Sequence, residues 1–400
     1  MKNIKFLGVF NIYSIKDILL IALSTCAVSM YLGGTTFYLV LLAISTLLVF
    51  RYRFNWDWNW LAVLVLLISV ISTIKNYTET PSVFRVEQRT CLLALVIFAF
   101  APAVTNNKLY FYRKKIFVCL GVGLCLIGIA SSLLSFTGFG YNGIYLIGLS
   151  DFPNSLGYTL GITMIFSFSL LTQVKKWYIR VMCIAVIILC YRTIPLTGTR
   201  TAFYSIPIVI LVYIYFNSKN IGAMLKKLVI FILLIITVVS LVKVDMSIIN
   251  MKNDIQEERG ETSRASLFYA RQKEFEQSPI IGYGTFRGDP RYAIINHNGN
   301  VEVGNTFFAF LSMNGVIGLT NFVILYLSLI IPFFSYMRKK KKIGVSSFEI
   351  LLLLVVLYNF ISMQQQGLAL NPGLYSTGFN WLSMALMYKP NKYLKRYGDS

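Results

Sequence analysis

About twelve stretches of this chain are apolar over nearly the length that a helix needs to cross a bilayer, roughly 20 residues. They fall near 17–32, 36–50, 57–74, 90–105, 116–136, 153–173, 181–196, 202–216, 228–244, 318–337, 347–364 and 376–388. Only 13% of the residues are charged, about half of what a soluble domain carries, and mean hydropathy is +0.66. Lipid is therefore the solvent. The expected fold is all-α: a polytopic membrane protein of about twelve transmembrane helices, one integral membrane domain over 1–400.

The formal charge of +21 would suit nucleic acid only if it were gathered on one face. It comes instead as short basic runs between apolar stretches, the pattern of cytoplasmic loops. No nucleic-acid partner is expected. With the N-terminus inside, Arg51 and Arg53, then Lys108, Arg113, Lys114 and Lys115, then Lys175, Lys176 and Arg180, then Lys219, Lys226 and Lys227 all fall on the inner side. The run Arg338 to Lys342 and the tail with Lys389, Lys392, Lys395 and Arg396 join them, which requires an even number of crossings and both termini in the cytoplasm. The first apolar stretch follows Lys16 and Asp17 and runs on without a small-residue cleavage motif, so no cleavable signal is expected. All six cysteines sit inside apolar stretches, and His297 is the sole histidine. That set offers neither a disulfide framework nor a zinc-type site, and no metal or cofactor is expected.

The connections assigned to the outer side differ in kind. Residues 75–89 form a short loop containing Arg85 and Arg89, 137–152 are rich in glycine and aromatics, and 197–201 make a tight turn. The segment 245–303 is by far the longest and lies near charge balance in an otherwise basic chain. Loops of that length in a compact fold are usually functional or linkers. Within it, Gly260 to Ser263 supply a cap for a helix reaching about Gln277, and Pro279 stops it. On that helix Arg264, Leu267, Phe268 and Arg271 share a face, with the two guanidiniums about 10 Å apart at 1.5 Å per residue. They either point into a shared outer cavity or form surface pairs with Glu274 or Glu261. Arg200 opens a membrane helix at the outer boundary, where an ionisable group marks function or snorkels to the interface; Arg192 is a weaker case. Residues 304–319 give a second local signal. Asn305 is a good N-cap and Asn314-Gly315 a good stop, leaving a half-helix of about nine residues whose N-terminus suits an anion or simply re-enters the fold.

Four pieces in this order resemble the O-antigen polymerase and O-antigen ligase superfamily. They are Phe152-Pro153-Asn154 with Leu156-Gly157, the Thr-Gly-Thr-Arg200 turn, the stretch from Arg264 to Gly284, and Asn305 through Gly318. In the third piece Phe268 stands at an aromatic position before a Pro-x-x-Gly-x-Gly pattern ending in Gly282 and Gly284. Arg271 precedes Gly282 by eleven residues, the spacing R-x10-G. The resemblance spans roughly 150–320. It implies transfer of a glycan from an undecaprenyl-pyrophosphate-linked donor to a hydroxyl of a lipid-linked acceptor, at the outer face of a bacterial cytoplasmic membrane. Membrane lipid surrounds the protein, and a chain-length regulator is a possible further partner. Arg200, Arg264 and Arg271 are the implied catalytic cations; Asn154, Gly282, Gly284, Arg287 and Asn305 are the implied substrate contacts. Family members often open the last piece with His-Asn, whereas this chain has Gly304-Asn305, and His297 is out of register. A histidine base is therefore not carried over, which favours the polymerase branch. Asp289, Glu274 and His297 remain as candidate bases, beside a late proton loss that needs none. The alternatives are a ligase of the same superfamily, a lipid-linked oligosaccharide flippase, and a transferase using polyprenyl-phosphate sugars. The last would carry acidic metal-binding residues in its first outer loop, where this chain has only Glu79 and Glu87 in the second.

Overall fold

The computed structural model describes residues 5–6, 10–11, 14–52, 56–75, 86–218, 220–242, 245–259, 264–289, 291–292, 303–340 and 345–397. Helices dominate. In chain order they are α1 (Ile15–Val28), α2 (Gly34–Arg51), α3 (Trp60–Lys75), α4 (Val86–Ala99), α5 (Asn107–Leu134), α6 (Pro153–Gln173) and α7 (Trp177–Thr193). There follow α8 (Arg200–Phe216), α9 (Ile221–Val242), α10 (Ser247–Arg259), α11 (Ala265–Gln277), α12 (Thr306–Lys340), α13 (Ser347–Met363) and α14 (Tyr375–Tyr397).

Each of the twelve apolar stretches falls on one of these helices, and α10 and α11 occupy the 245–303 segment. Among the described residues, five helical stretches are long and apolar enough to cross a membrane: Gly34–Arg51, Asn107–Thr137, Pro153–Gln173, Trp177–Thr197 and Thr306–Lys340. Trp60–Lys75, Arg200–Phe216 and Ser347–Met363 are shorter apolar helices. The protein is membrane-embedded and helical. Its hydroxyls fit that setting: Thr25, Ser45, Thr46, Ser69 and Thr73 each donate to the carbonyl four residues earlier, at 2.7–2.9 Å. A hydroxyl so bonded carries no unmet polar demand into an apolar environment.

The chain packs as two compact units. The first comprises Met1–Tyr38, Lys115–Ile255 and Phe334–Ser362; the second Leu39–Lys114, Gln256–Phe333 and Met363–Ser400. In the first, α6 packs on α7 and α8 and buries Leu156 through Phe166 without a break. Glycines of α5 and α6 admit rings: a β-carbon at Gly121 would overlap the ring of Phe166, and one at Gly161 the ring of Tyr358. Tyr158 donates to Asn359 at 2.8 Å, satisfying a polar pair inside the bundle.

In the second unit α3 and α4 pack together and α14 rests on α4. Aromatic rings fill the space, with Phe310 stacked on Phe322 at 4.3 Å and Trp381 edge-on to Phe322 at 6.2 Å. One residue of the basic runs has a structural task. Buried Arg113 donates to the carbonyls of Phe98 at 3.0 Å, Ala99 at 2.9 Å and Val104 at 2.7 Å. A guanidinium there satisfies carbonyls that the end of α4 leaves open.

Candidate functional site

The four sequence pieces pair off, two in each unit. In the first unit a turn of 3-10 helix, Pro195–Thr197, ends on Gly198 in the left-handed region (φ +64), and Arg200 then opens α8. Only a residue without a β-carbon takes that φ freely. Thr197 donates to the Thr199 hydroxyl at 2.8 Å, and Thr199 Oγ1 lies 3.4 Å from the Pro153 carbonyl and 3.5 Å from Asn154 Oδ1. A β-carbon on Gly157 would stand 2.5 Å from Thr199 Oγ1. The Phe-Pro-Asn…Leu-Gly piece and the Thr-Gly-Thr-Arg piece therefore interlock, chiefly through hydroxyls.

Helix α10 adds cations to the same place. Lys252 Nζ donates to the Gly198 carbonyl at 2.9 Å and sits 4.4 Å from the centre of the Tyr145 ring. Arg200 Nη1 donates to Asn253 Oδ1 at 2.8 Å. Arg192 lies over the Phe136 ring at 4.2 Å, a cation–π contact that holds a guanidinium without a counter-ion. Asn154 is exposed and Arg200 half-buried. Desolvation raises the Asp151 carboxyl, in the loop before α6, above its usual value.

The second unit holds the other two pieces by different means. Helix α11 begins at Ala265, as the sequence leads one to expect; Gly260 to Ser263, the expected cap, lie outside the described residues, and Arg264 occupies the N-cap position. The helix ends at Gln277, before Pro279. Its inward face carries Leu267, Ala270, Arg271 and Glu274. Arg271 donates to Glu274 at 2.7 Å, and the two side chains are 1% and 0% exposed. Glu274 also accepts the main-chain N–H of Asp289 at 3.1 Å. Burial raises the Glu274 carboxyl, and Arg271 opposes that rise.

Asp289 behaves in the opposite way. Arg291 donates to it at 2.7 and 3.0 Å and Gln277 at 2.6 Å, and the Arg291 bonds foremost hold its carboxyl well below the usual carboxylate range. A carboxylate so bound is a weak proton acceptor. His297, the remaining candidate base, lies outside the described residues.

Between these ends runs the Pro-x-x-Gly-x-Gly loop. It docks main chain to main chain against a break in α12. Tyr283 N donates to Ser312 O at 2.7 Å and Gly284 N to Met313 O at 3.1 Å. Val316 N donates to Pro279 O at 2.9 Å and Ile317 N to Ile280 O at 3.3 Å. The break is at Gly315 (φ 67, ψ −171), which leaves Thr306–Asn314 as the short helix that Asn305 and Gly315 foretold. A β-carbon on Gly282 would come within 2.3 Å of main-chain atoms of Met313 and Asn314, and one on Gly315 within 2.2 Å of Ile280 O. Gly282 and Gly284 thus serve this docking. Ser69 of α3 supports the break: Asn314 donates to its hydroxyl at 2.7 Å, and Thr285 to its carbonyl at 3.2 Å.

Asn305 caps the short helix. Its Oδ1 accepts from Phe307 N at 2.8 Å and Phe308 N at 3.3 Å. Its Nδ2 donates to Gln364 O at 2.5 Å, Thr306 donates to Gln366 O at 2.6 Å, and Arg264 donates to Gln365 O. Phe268 and Phe308 meet at 5.0 Å, so the starts of α11 and α12 lie side by side.

The structure also recruits a residue the motifs passed over. Arg89 is buried at the start of α4, with its guanidinium 4.8 Å from the centre of the Phe286 ring and 3.4 Å from Asn371 Oδ1. Phe286 has a positive φ of 65, an uncommon state for a bulky residue that clusters at functional sites. Arg287, next in the chain and 7% exposed, lays its stem over Gly284. The sequence signal of Arg89 was faint: one arginine where a short loop gives way to an apolar run.

Of the nominated residues, Arg264, Arg271, Gly282, Gly284, Arg287 and Asn305 are in the second unit; Arg200 and Asn154 are in the first. Among the described residues no three His, Cys, Asp or Glu side chains gather as a metal site would require.

A helical membrane protein with two motif clusters rich in arginine is the class that this geometry defines. Residues 184–323 match the family model described as O-antigen ligase, consistent with the O-antigen polymerase and ligase superfamily that the sequence resembles. The matched stretch contains Arg200, the Arg264–Gly284 piece and the Asn305–Gly318 piece. No curated protein matches the chain.

Proposed function

We propose that the protein joins oligosaccharide repeat units carried on undecaprenyl pyrophosphate into a surface polysaccharide, at the extracytoplasmic side of a bacterial cytoplasmic membrane. The observation that carries this reading is the family match over 184–323, whose last two pieces are docked on each other by four main-chain hydrogen bonds. A docked loop of this kind keeps its neighbours in fixed positions, which transfer chemistry demands.

In the proposed reaction a hydroxyl of the acceptor attacks the anomeric carbon of the donor glycan. The carbon–oxygen bond to the diphosphate breaks, the bonding pair leaves with undecaprenyl pyrophosphate, and the hydroxyl proton passes to the departing diphosphate or to water. The protein must stabilise charge as it grows on that leaving group. Guanidinium groups suit this because they stay charged and bind phosphate oxygens in pairs. Arg264, half-buried in the second unit, is assigned direct contact with the diphosphate, and Arg200, half-buried in the first, contact with a lipid-linked substrate. Arg271, enclosed with Glu274, is assigned a positioning role, and Asn154 and Arg287 remain proposed substrate contacts. No cofactor enters the scheme.

Gly304 at the position where family members often have histidine favours polymerisation. Transfer of finished glycan to another lipid is the second reading, favoured by the description of the matching family. Analysis of lipid-linked intermediates in a deletion strain separates them. Single repeats on undecaprenyl lipid accumulate if the protein polymerises, full-length polymer stays on that lipid if it ligates, and repeats remain on the inner leaflet if it transports. Arg200→Ala and Arg264→Ala are each expected to lower polymer formation by about 100- to 1000-fold, as for loss of one transition-state donor, at unchanged protein level. Undiminished polymer in either variant removes that residue from the mechanism.

A further inference from the structure

We propose that the loop Gln364-Gln365-Gln366 is a glycan-binding element that reads the sugar hydroxyls of the substrate, a role that rests on the transferase reading for the identity of that glycan. Three consecutive main-chain carbonyls of this loop are each held by a different side chain: Gln364 O by Asn305, Gln365 O by Arg264 and Gln366 O by Thr306. All three donors belong to the starts of α11 and α12, within the matched stretch. The loop is seated closely as well. A β-carbon on Gly367 would lie 2.5 Å from Val303 Cγ1, and one on Gly304 2.5 Å from Leu267 Cδ2.

This arrangement fixes the backbone and turns the side chains outward. Gln364 and Gln365 are exposed while their carbonyls are engaged. Each side-chain amide offers one acceptor and two donors, a match for neighbouring sugar hydroxyls, which both give and accept hydrogen bonds. An uncharged amide has no advantage over the nearby arginines for a diphosphate, so the loop's chemistry selects the glycan part of the ligand. An exposed ring belongs to the same helix start: Phe308, 42% exposed, lies one turn beyond Asn305 and pairs with Phe268. Aromatic faces take up the apolar faces of sugar rings while polar groups fix the orientation. A backbone held by three bonds before the ligand arrives reduces the ordering needed on binding.

The test compares two probes on the full-length protein in detergent or nanodiscs. One is the lipid-linked repeat extracted from a strain lacking this protein; the other is bare undecaprenyl pyrophosphate. The double variant Gln364→Ala/Gln365→Ala, which keeps every carbonyl described above, is expected to bind the glycan-bearing lipid about tenfold more weakly, the loss of roughly two neutral hydrogen bonds. Its affinity for the bare lipid and its melting temperature should match the wild type. Unchanged binding of the glycan-bearing lipid overturns the proposal, and so does equal weakening for both probes. Wild-type protein that binds the glycan-bearing lipid through these amides yet forms no glycosidic bond would refute the transferase reading and leave the subsite standing.

Discussion

The two motif clusters are built from different materials. In the first unit the Thr-Gly-Thr-Arg turn is tied to the start of α6 and to α10 by hydroxyls, a lysine, an amide and a ring. In the second, the Pro-x-x-Gly-x-Gly loop is tied to the break in α12 by peptide groups, and Asp289 just beyond it is tied to α11 through Glu274 and Gln277. Side chains rotate and can yield; main-chain atoms at 2.3 Å cannot. The second cluster is therefore a rigid frame, and the first a set of contacts that adjust to substitution.

The glycines probe this difference most strongly. Gly282→Val puts bulk against main-chain atoms at a φ of +88 and is expected to abolish polymer and lower protein accumulation. Gly157→Ala meets the Thr199 side chain, its Cβ included at 2.6 Å, at an ordinary helical φ, and is expected to lower polymer and protein level less than Gly282→Val, read by immunoblot and polysaccharide gels. Equal damage from both would erase the contrast.

The buried pair comes next. Glu274→Ala leaves the Arg271 charge enclosed without its carboxylate, an expected loss of about 3–5 kcal/mol measured by chemical unfolding of the purified protein. Arg271→Met/Glu274→Leu removes both charges and should recover much of that stability. If polymer also returned, Arg271 would be a strut and nothing more.

A smaller effect is expected at the cap. Asn305→Ala removes the acceptor for Phe307 N and Phe308 N, worth about 1 kcal/mol, and frees the Gln364 carbonyl. Hydrogen exchange should quicken at 306–309 and at 364–367 together, and quickening at only one of them would uncouple the two elements.

The smallest is a pH effect with two opposing signs. Asp289 is held below its ordinary value of 3.8, chiefly by Arg291, so its stabilisation is present above that value and drains away as the pH falls below it. Glu274 is raised by burial above its ordinary 4.5, so its contribution is full below that value and is lost as the pH rises through the folded-state value. Asp289→Asn should flatten the fall in melting temperature on acidification below about pH 4, and Glu274→Gln should leave that limb in place.

What the sequence revealed follows the range over which each determinant acts. The short helix between Asn305 and Gly315 was legible because capping and left-handed glycine are local chemistry. The helix ending before Pro279 was legible for the same reason. Arg271 was found by its spacing to Gly282, but its burial was not, because an i, i+3 pair with Glu274 looks alike on a surface and in a core. The Gln364–Gln366 loop escaped notice because its partners lie 59 to 101 residues away. Arg113 reads as one more positive charge in a basic run, and only the fold shows it closing the end of α4. Arg89 likewise needed Phe286 beside it to be seen.

The most direct measurement reconstitutes the purified protein with lipid-linked repeats and follows the lipid product. One undecaprenyl pyrophosphate is expected to be released for each glycosidic bond formed, with release suppressed in the Arg200→Ala and Arg264→Ala variants. Repeats that cross the bilayer intact, with no diphosphate lipid set free, would contradict that expectation.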